Sequence, residues 1–312
     1  VYDKVSHTVQ KNEFDDWDEF NAQQSTGGWM AMVQQYFIAA WIPNQAEPQT
    51  FSASSSNNLH KLTNANPQIS LGAGSSATLA ANQLYLGPKE YGKIEEVATG
   101  LNYTLDYGWL DILADPLSWA IHKINDFIDS WGWSIIIITI LIKLVFYPLS
   151  EKSYRSMAGM RKLSPRLTKL KETYGDDKQK MGQKTMELYK KEKINPASGC
   201  LPIMVQIPVF IAFYWMLLDT VELRQTSFWW LTDLSTQDPY YILPIIMGAS
   251  MFIQQKLNPP PPDPMQAKIM MSLPFVFTIF FLWFPSGLVL YWVFNNVLSI
   301  AQQWTINKRI NA

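Results

Sequence analysis

The sequence predicts an α-helical polytopic membrane protein: a five-helix transmembrane core with a helical hairpin, preceded by part of an all-β domain. Three observations predict it. First, the apolar residues bunch after position 130 into runs long enough to cross a bilayer. The overall figures, 48% hydrophobic residues and a mean hydropathy of −0.05, would by themselves suit a soluble protein. Second, the charge is partitioned. A net charge of −1 over 312 residues hides −9 in residues 1–130 and +7 in residues 150–196. Third, residues 1–105 carry short aromatic and β-branched runs between Ser-, Asn-, Gly- and Pro-rich stretches, the pattern of an all-β domain.

In residues 1–105 the run Trp29 to Trp41 reads as strand, and Phe51 to Asn58 as a linking stretch. Gln68-Ile69-Ser70-Leu71 and Gln83-Leu84-Tyr85-Leu86 have the two-residue period of half-buried strands, and Gly87-Pro88 reads as a turn. No catalytic constellation is visible, since His7 and His60 are isolated. The chain begins Val1-Tyr2-Asp3 without Met, as a fragment of a longer protein would. The single cysteine, Cys200, excludes an internal disulfide framework and any multi-cysteine metal site. The absence of a basic excess argues against a specific nucleic-acid binder. No cofactor, metal or catalytic residue is expected.

Residues 106–130 change period. Trp109, Ile112, Leu113, Leu117, Trp119, Ile121, Ile124 and Phe127 recur at helical spacing, with Asp111, Asp115, His122, Lys123, Asp126 and Asp129 opposite. This is an amphipathic helix, suited to lying along a membrane surface or to docking on a soluble domain. Five candidate spans follow: residues 131–149, 201–218, 240–257, 268–284 and 287–304. Between them lie a basic segment (150–200), an acidic loop (219–239) and a Pro-rich loop (258–267), and a tail (305–312) closes the chain. The positive-inside rule places 150–200, the Pro-rich loop and the tail in the cytoplasm, with residues 1–130 and 219–239 outside. Within 151–193, Met157, Met160, Leu163, Leu167 and Leu170 face Met181, Leu188 and Tyr189 across a Tyr174-Gly175-Asp176-Asp177 turn, which predicts a helical hairpin. Its basic face suits a solvated stalk, or a docking surface for anionic lipid, ribosome or nascent chain.

The chemistry lies inside the spans. Lys143 falls six residues before the cytoplasmic end of the first span, roughly 9 Å in at the helical rise. A mid-helix cation costs about 2.5–3.5 kcal/mol on insertion scales, so it marks function unless it snorkels to the headgroups. Thr139 lies one turn above on the same face. Gln206 sits at similar depth, and Asn295, Ser299 and Gln302 share a face of the last span with Asn296 and Gln303 beside them. Polar groups from three helices thus gather in the inner leaflet, while the outer halves are apolar. A hydrated cavity open inward accounts for so many better than interhelical hydrogen bonding does.

The run Asn195-Pro196-Ala197-Ser198-Gly199-Cys200-Leu201-Pro202-Ile203-Met204-Val205-Gln206-Ile207-Pro208-Val209-Phe210 resembles the signature of YidC-type membrane protein insertases. So do Tyr147-Pro148-Leu149, Asp238-Pro239-Tyr240-Tyr241-Ile242-Leu243-Pro244 and Phe281-Leu282-Trp283-Phe284-Pro285-Ser286-Gly287-Leu288-Val289-Leu290-Tyr291. The resemblance covers about residues 105–307. Residues 1–105 look like the C-terminal part of the periplasmic β-sandwich domain of the Gram-negative branch. It implies a bacterial inner-membrane protein that inserts and helps fold integral membrane proteins, alone or beside the Sec translocon, through a positively charged groove open to cytoplasm and lipid. The groove would hold Lys143, Thr139, Gln206, Tyr291, Trp292, Asn295 and Ser299. The substrate's apolar segment would slide along Ile207, Phe210, Phe213, Tyr214, Phe277 and Phe280. Ribosomes or targeting factors would meet Arg161, Lys162, Arg166, Lys169 and Lys171, and membrane lipids surround the core. Two departures stand out: Lys143 holds the place of the family's usual Arg, and Tyr291-Trp292 replaces a frequent Tyr-Tyr.

A transporter or channel using Lys143 as an intramembrane substrate or proton site is the competing class. It lacks an internal repeat and a polar stripe reaching the outer face. A membrane-embedded hydrolase would need a base or metal ligands, and His122, the only histidine near the spans, lies outside them.

Overall fold

The computed structural model describes residues 1–57, 59–78, 81–175, 177–192, 201–258 and 264–311. The linker 193–200 with Cys200 and the start of the Asn195–Phe210 motif, residues 259–263 of the Pro-rich loop, Asn58 and Asp176 lie outside them. The chain divides into two compact units: residues 1–106 with 219–221, and residues 107–218 with 222–312.

The first unit is built of antiparallel strands. A short ribbon pairs β1 (Tyr2–Asp3) with β2 (Thr8–Val9). One sheet has the order β3-β6-β7, from Gln23–Thr26, Pro48–Ser56 and Leu59–Ala65; the other has the order β4-β5-β8, from Met30–Val33, Phe37–Ile42 and Gln83–Pro88. Tyr2, Trp29, Ile38, Ala40, Ile42, Ile94 of the short helix α1 (Lys93–Val97) and Leu101 make its core. Tyr2 stacks on Trp29 with ring centroids 5.5 Å apart. Gly28 permits this approach. It sits at φ +88°, and a Cβ there would stand 2.2 Å from the Tyr2 carbonyl oxygen. Lys89 is buried with its ammonium 3.4 Å from the Thr104 carbonyl oxygen. Burial holds its pKa below the usual lysine value, partly countered by the carboxylates of Asp219 and Asp106.

Three expectations fail here. Phe51 to Ser56 is not a linking stretch but most of the central strand β6, whose Phe51 pairs with both Gln23 and Asn64. Small residues suit a strand hydrogen-bonded on both sides when only alternate positions, such as the buried Phe51, carry the core. Residues 68–71 form no strand, and Ile69 and Leu71 are exposed. Alternation over four residues between Pro67 and Gly72 is too short to hold a strand by itself, and none of these residues pairs with either sheet. Gly87-Pro88 ends β8 rather than turning. β8 is an edge strand, where the missing proline N–H costs no ladder bond.

The second unit is helical: α2 (Asp111–Ile128), α3 (Trp131–Val145), α4 (Tyr147–Tyr174), α5 (Lys178–Lys191), α6 (Leu201–Asp219, of which Asp219 falls in the first unit), α7 (Ile242–Leu257), α8 (Pro264–Phe280) and α9 (Ser286–Asn311). α9 is the hub, packed against α3, α4 and α7. α2 buries Ala114, Ser118 and Ile121 and leaves Ile112, Trp119 and Phe127 exposed, as is Trp109 just before it, so the apolar stripe is only partly used inside the protein. α4 and α5 form the expected hairpin. Leu163 and Tyr189 are buried, and the Asp177 side chain caps α5 by accepting from Lys180 N at 3.0 Å.

The helix beginning at Trp131 does not run to Leu149. It ends at Val145 and the chain bends by 65° into α4. Pro148 has no N–H to return to the Leu144 carbonyl, but fits the first turn of a new helix. At the other end, α9 runs through the expected tail to Asn311, and α8 starts at Pro264, inside the expected loop. Among the described residues, Met265–Trp283 is the one helix long and apolar enough to cross a membrane by length and composition, and α3 with α4 passes only as a bent pair. Among the described residues α6 and α7 count as shorter apolar helices.

The loop 222–241 holds the starts of α7 and α9. Asp238, buried, accepts from Trp230 Nε1 at 3.1 Å, Tyr240 N at 3.0 Å and Leu243 N at 2.7 Å. Ser286 N and Gly287 N of α9 donate to the carbonyls of Thr236 and Leu234 at 2.6 and 2.9 Å. First-turn N–H groups of both helices, those of Leu243, Ser286 and Gly287, are thereby satisfied by the loop. Asp238→Ala should therefore lower stability by about 2 kcal/mol or more, by loss of charge-assisted bonds to buried donors. A thermal unfolding scan of the detergent-purified chain measures this; an unchanged midpoint would contradict the capping role.

Candidate functional site

Four helices converge on Lys143. The break at Phe146 puts it in the last turn of α3, two residues from the helix end rather than six. Its ammonium donates to Ser299 Oγ of α9 at 2.8 Å and to Gln206 Oε1 of α6 at 3.4 Å. The Gln206 amide donates to Asn295 Oδ1. Ser299 Oγ in turn donates to the Asn295 carbonyl at 2.7 Å, and Gln302 Nε2 donates to the Lys143 carbonyl at 3.3 Å. Tyr154 of α4 donates to the Ser299 carbonyl at 3.4 Å. A second buried bond runs alongside, from Asn296 Nδ2 to Ser250 Oγ of α7 at 3.1 Å.

The three polar positions 295, 299 and 302 meet Lys143 because they follow one another at i, i+4 and i+7 on one face of α9. Tyr291, one turn further out on that face, joins a different environment. It packs on Phe213 with centroids 4.5 Å apart and on Phe210 at 6.1 Å. Trp292 sits edge-on to Phe210 at 4.5 Å and contacts Phe281 at 5.3 Å. The site is thus layered: an aromatic layer outward, the lysine and its amides inward.

Lys143 is only 8% exposed. Ile142, Phe146, Leu149, Val205, Gln206 and Val209 wall the space beside it, about 20 Å³, enough for about one water. Among the described residues the lysine is therefore enclosed by hydrogen-bonding partners. Thr139 is buried but turned to its own helix, its hydroxyl 2.6 Å from the Ile135 carbonyl; the structure places it one turn from the network without joining it.

The six apolar residues predicted to guide a substrate divide. Ile207 and Phe280 are exposed, on the open faces of α6 and α8. Phe210, Tyr214 and Phe277 are half-buried. Phe213 is fully enclosed against Tyr291 and presents nothing to an external segment. On the hairpin, Arg166 pairs with Glu192 at 2.6 Å and Arg161 donates to the Leu257 carbonyl at 2.8 Å. Lys162 and Lys169 lie nearby on α4; the Lys171 side chain is outside the described residues. Sequence reasoning missed Tyr154 and Ser250. Tyr154 had a signal: it follows Ser150 by one turn on the α4 face that carries the buried Ser150 and Ser153.

Residues 123–312 match the family described as "60Kd inner membrane protein", and residues 1–120 match the one described as "YidC periplasmic domain". The chain belongs to the 60Kd inner membrane protein family. Relatives in this family carry the name membrane protein insertase YidC. That of Ruthia magnifica subsp. Calyptogena magnifica is 67% identical over 311 residues, covering 100% of this chain and 56% of the relative. That of Aromatoleum aromaticum (strain DSM 19018 / LMG 30748 / EbN1) is 54% identical over 308 residues, covering 97% of the chain and 56% of the relative. The chain thus spans a little over half the length of these relatives. The crystal structure of an active YidC insertase with its first transmembrane domain resolved superposes with a TM-score of 0.56 at 21% identity, over 87% of this chain and 64% of the other, and shares the fold. Members of the 60Kd inner membrane protein family are inner-membrane proteins with, here, a periplasmic domain in residues 1–120.

Enclosure of Lys143 has a direct chemical readout. In an amine-acylation experiment on the folded chain, Lys143 should react at least about tenfold more slowly than the exposed Lys162, because its ammonium is desolvated and hydrogen-bonded. Peptide mass spectrometry after brief labelling gives the ratio, and equal rates would mean that the lysine stands open to water.

Proposed function

We propose that this chain carries the insertion core of a membrane protein insertase: it lowers the barrier for polar or acidic segments of newly made membrane proteins entering the inner membrane. One observation carries the reading. The cation of Lys143 lies buried among helices and is held by neutral partners from α6 and α9. Neutral partners leave its charge uncompensated and able to attract a carboxylate. The names of the relatives support the same reading.

In this reading five spans contain α3, α6, α7, α8 and α9, residues 1–130 and 219–239 face the periplasm, and the α4–α5 hairpin and the C-terminus face the cytoplasm. The first span is short because α3 ends at Val145, so the bilayer thins locally or the chain tilts. The site opens when α4 and α6 part, since Tyr154 and Gln206 close it. The apolar segment of the substrate then leaves along the exposed faces of α6 and α8, past Ile207 and Phe280. The work is non-covalent: a short polar stretch in hydrocarbon is costly because it finds no partners, and Lys143, Gln206, Asn295 and Ser299 supply them. The hairpin, through Arg161, Lys162, Arg166, Lys169 and Lys171, recruits ribosomes or targeting factors, and the Sec translocon is a second partner.

The charge at position 143 tests the proposal. In liposomes with matched amounts of folded protein, Lys143→Arg should retain insertion of an acidic-tailed substrate, Lys143→Ala should lose most of it, and Lys143→Glu should be worse. Protease protection of the substrate reads the outcome. Equal insertion by wild type, Ala and Glu variants would remove the electrostatic role. Thr139→Val serves as the comparison: its hydroxyl bonds only to its own helix in the structure, so activity should stay within about twofold.

A further inference from the structure

A second polar site lies where α4, α7 and α9 meet, at the base of the hairpin. A cleft there is lined by the polar Arg161, Lys162, Gln303 and Asn307 together with the apolar Met157 and Leu257. Its free space is about 230 Å³, roughly ten times that beside Lys143. Arg161 spends one N–H on the Leu257 carbonyl at 2.8 Å and keeps its remaining donors for another acceptor. Lys162 is exposed, and Lys308 and Arg309 follow Asn307 on α9. Gln303 is 2% exposed. Its amide nitrogen donates to the Leu257 carbonyl at 3.2 Å and to Asn258 Oδ1 at 3.1 Å, which fixes the orientation of the amide. Its Oε1 is left buried with no hydrogen-bond partner among the described residues.

Two cations, a buried acceptor lacking a donor and an apolar floor together describe an amphiphile with an anionic head that also carries hydroxyl groups. We infer that this cleft binds the headgroup of an anionic, hydroxyl-bearing phospholipid of the phosphatidylglycerol type. The phosphodiester lies against Arg161 and Lys162, a glycerol hydroxyl donates to Gln303, and the acyl chains start over Met157 and Leu257. The level is right for a headgroup in the membrane reading proposed above, on which this rests. The Lys256 ammonium stands 4.7 Å over the Phe252 ring and that of Lys308 5.5 Å over the Trp304 ring, the arrangement of cations and aromatics at a lipid–water boundary. An acidic peptide would satisfy the cations too and has backbone N–H groups for Gln303 Oε1, but the place of the cleft at the lipid–water level in the membrane reading favours the phospholipid. The site is separate from the Lys143 network, and binding here ties the base of α4 to α7 and α9.

The test uses the whole chain in phosphatidylcholine vesicles doped with a photoactivatable phosphatidylglycerol, its reactive group near the glycerol backbone. The same acyl probe on phosphatidylcholine is the control. Mass spectrometry should find the segments 157–162 and 303–307 labelled roughly tenfold more by the phosphatidylglycerol probe, the scale expected for two cations at a surface. The enrichment should vanish in the double variant Arg161→Gln, Lys162→Gln, while labelling of the exposed α8 face around Phe275 and Val276 stays as in wild type. If that variant fails to fold, Asn307→Asp keeps both cations, sets a carboxylate in the cleft and should also abolish the enrichment. Equal labelling by the two probes overturns the inference, as does enrichment that survives in the variants. So does displacement of the probe by millimolar inorganic phosphate or by an acidic peptide, which would make the site one for free phosphate or for peptide. Insertion activity is not measured, so the outcome is independent of the role proposed for Lys143.

Discussion

An ammonium group enclosed by apolar helices is the constraint on which the helical unit depends. Left without partners it would cost more than most single interactions return, about 2.5–3.5 kcal/mol even on the lenient insertion scales. Ser299 and Gln206 meet that demand directly, and Asn295 and Gln302 hold those two and the Lys143 backbone in place. These partners come from α6 and α9, so side-chain hydrogen bonds through the lysine link both helices to α3. α9 cannot be purely apolar in consequence: its middle must carry amides, and it is the element that α3, α4 and α7 all pack against. Breaking one member of such a network strands the others, which makes it a specifying feature more than a stabilising one.

The opposite ends of α7 and α9 are fixed by different means. There the helices have no polar seam, and the loop between α6 and α7 supplies order through Asp238 and the carbonyls of Leu234 and Thr236. α7 and α8 approach closely enough that a Cβ on Gly248 would stand 1.9 Å from the Thr278 hydroxyl. One end of the bundle is thus tied by backbone hydrogen bonds and close packing, and the other by side-chain amides around a charge. In the function proposed above, the second kind of end is the one that would exchange partners, because an incoming polar group would replace a side-chain amide, while a capped helix start has no equivalent substitute.

Much of this was legible in the sequence where a single periodicity governed. Lys143, Gln206, Asn295 and Ser299 were found from depth and helical spacing, and the hairpin turn from Gly175 and Asp177. What stayed hidden depended on tertiary partners. β6 is Ser-rich, and only pairing on both sides makes it a strand. Residues 68–71 have strand periodicity and pair with no strand. Phe213 and Phe280 look alike in sequence, yet one is sealed against Tyr291 and the other is open. Thr139 shares a helical face with Lys143, but its hydroxyl prefers the carbonyl four residues back. The break at Phe146 stayed hidden as well: the first span reads through Pro148 to Leu149 because hydropathy runs smoothly across it, so Lys143 reads as deeper in its helix than it lies.

The early end of α3 also bears on the charge of Lys143. No carboxylate is paired with this ammonium among the described residues; its partners are a hydroxyl and an amide oxygen. The carbonyls of the last turn are partly spoken for as well, since Phe146 N takes that of Ile142 and Gln302 takes that of Lys143. The end of the helix therefore offers the cation no full counter-charge. In the function proposed above, a carboxylate arriving at Lys143 would have no ion pair to break and no counter-ion to expel among the described residues. It would associate and leave again with little more than a rearrangement of hydrogen bonds. A charge held only by neutral dipoles favours transient contact over tight binding.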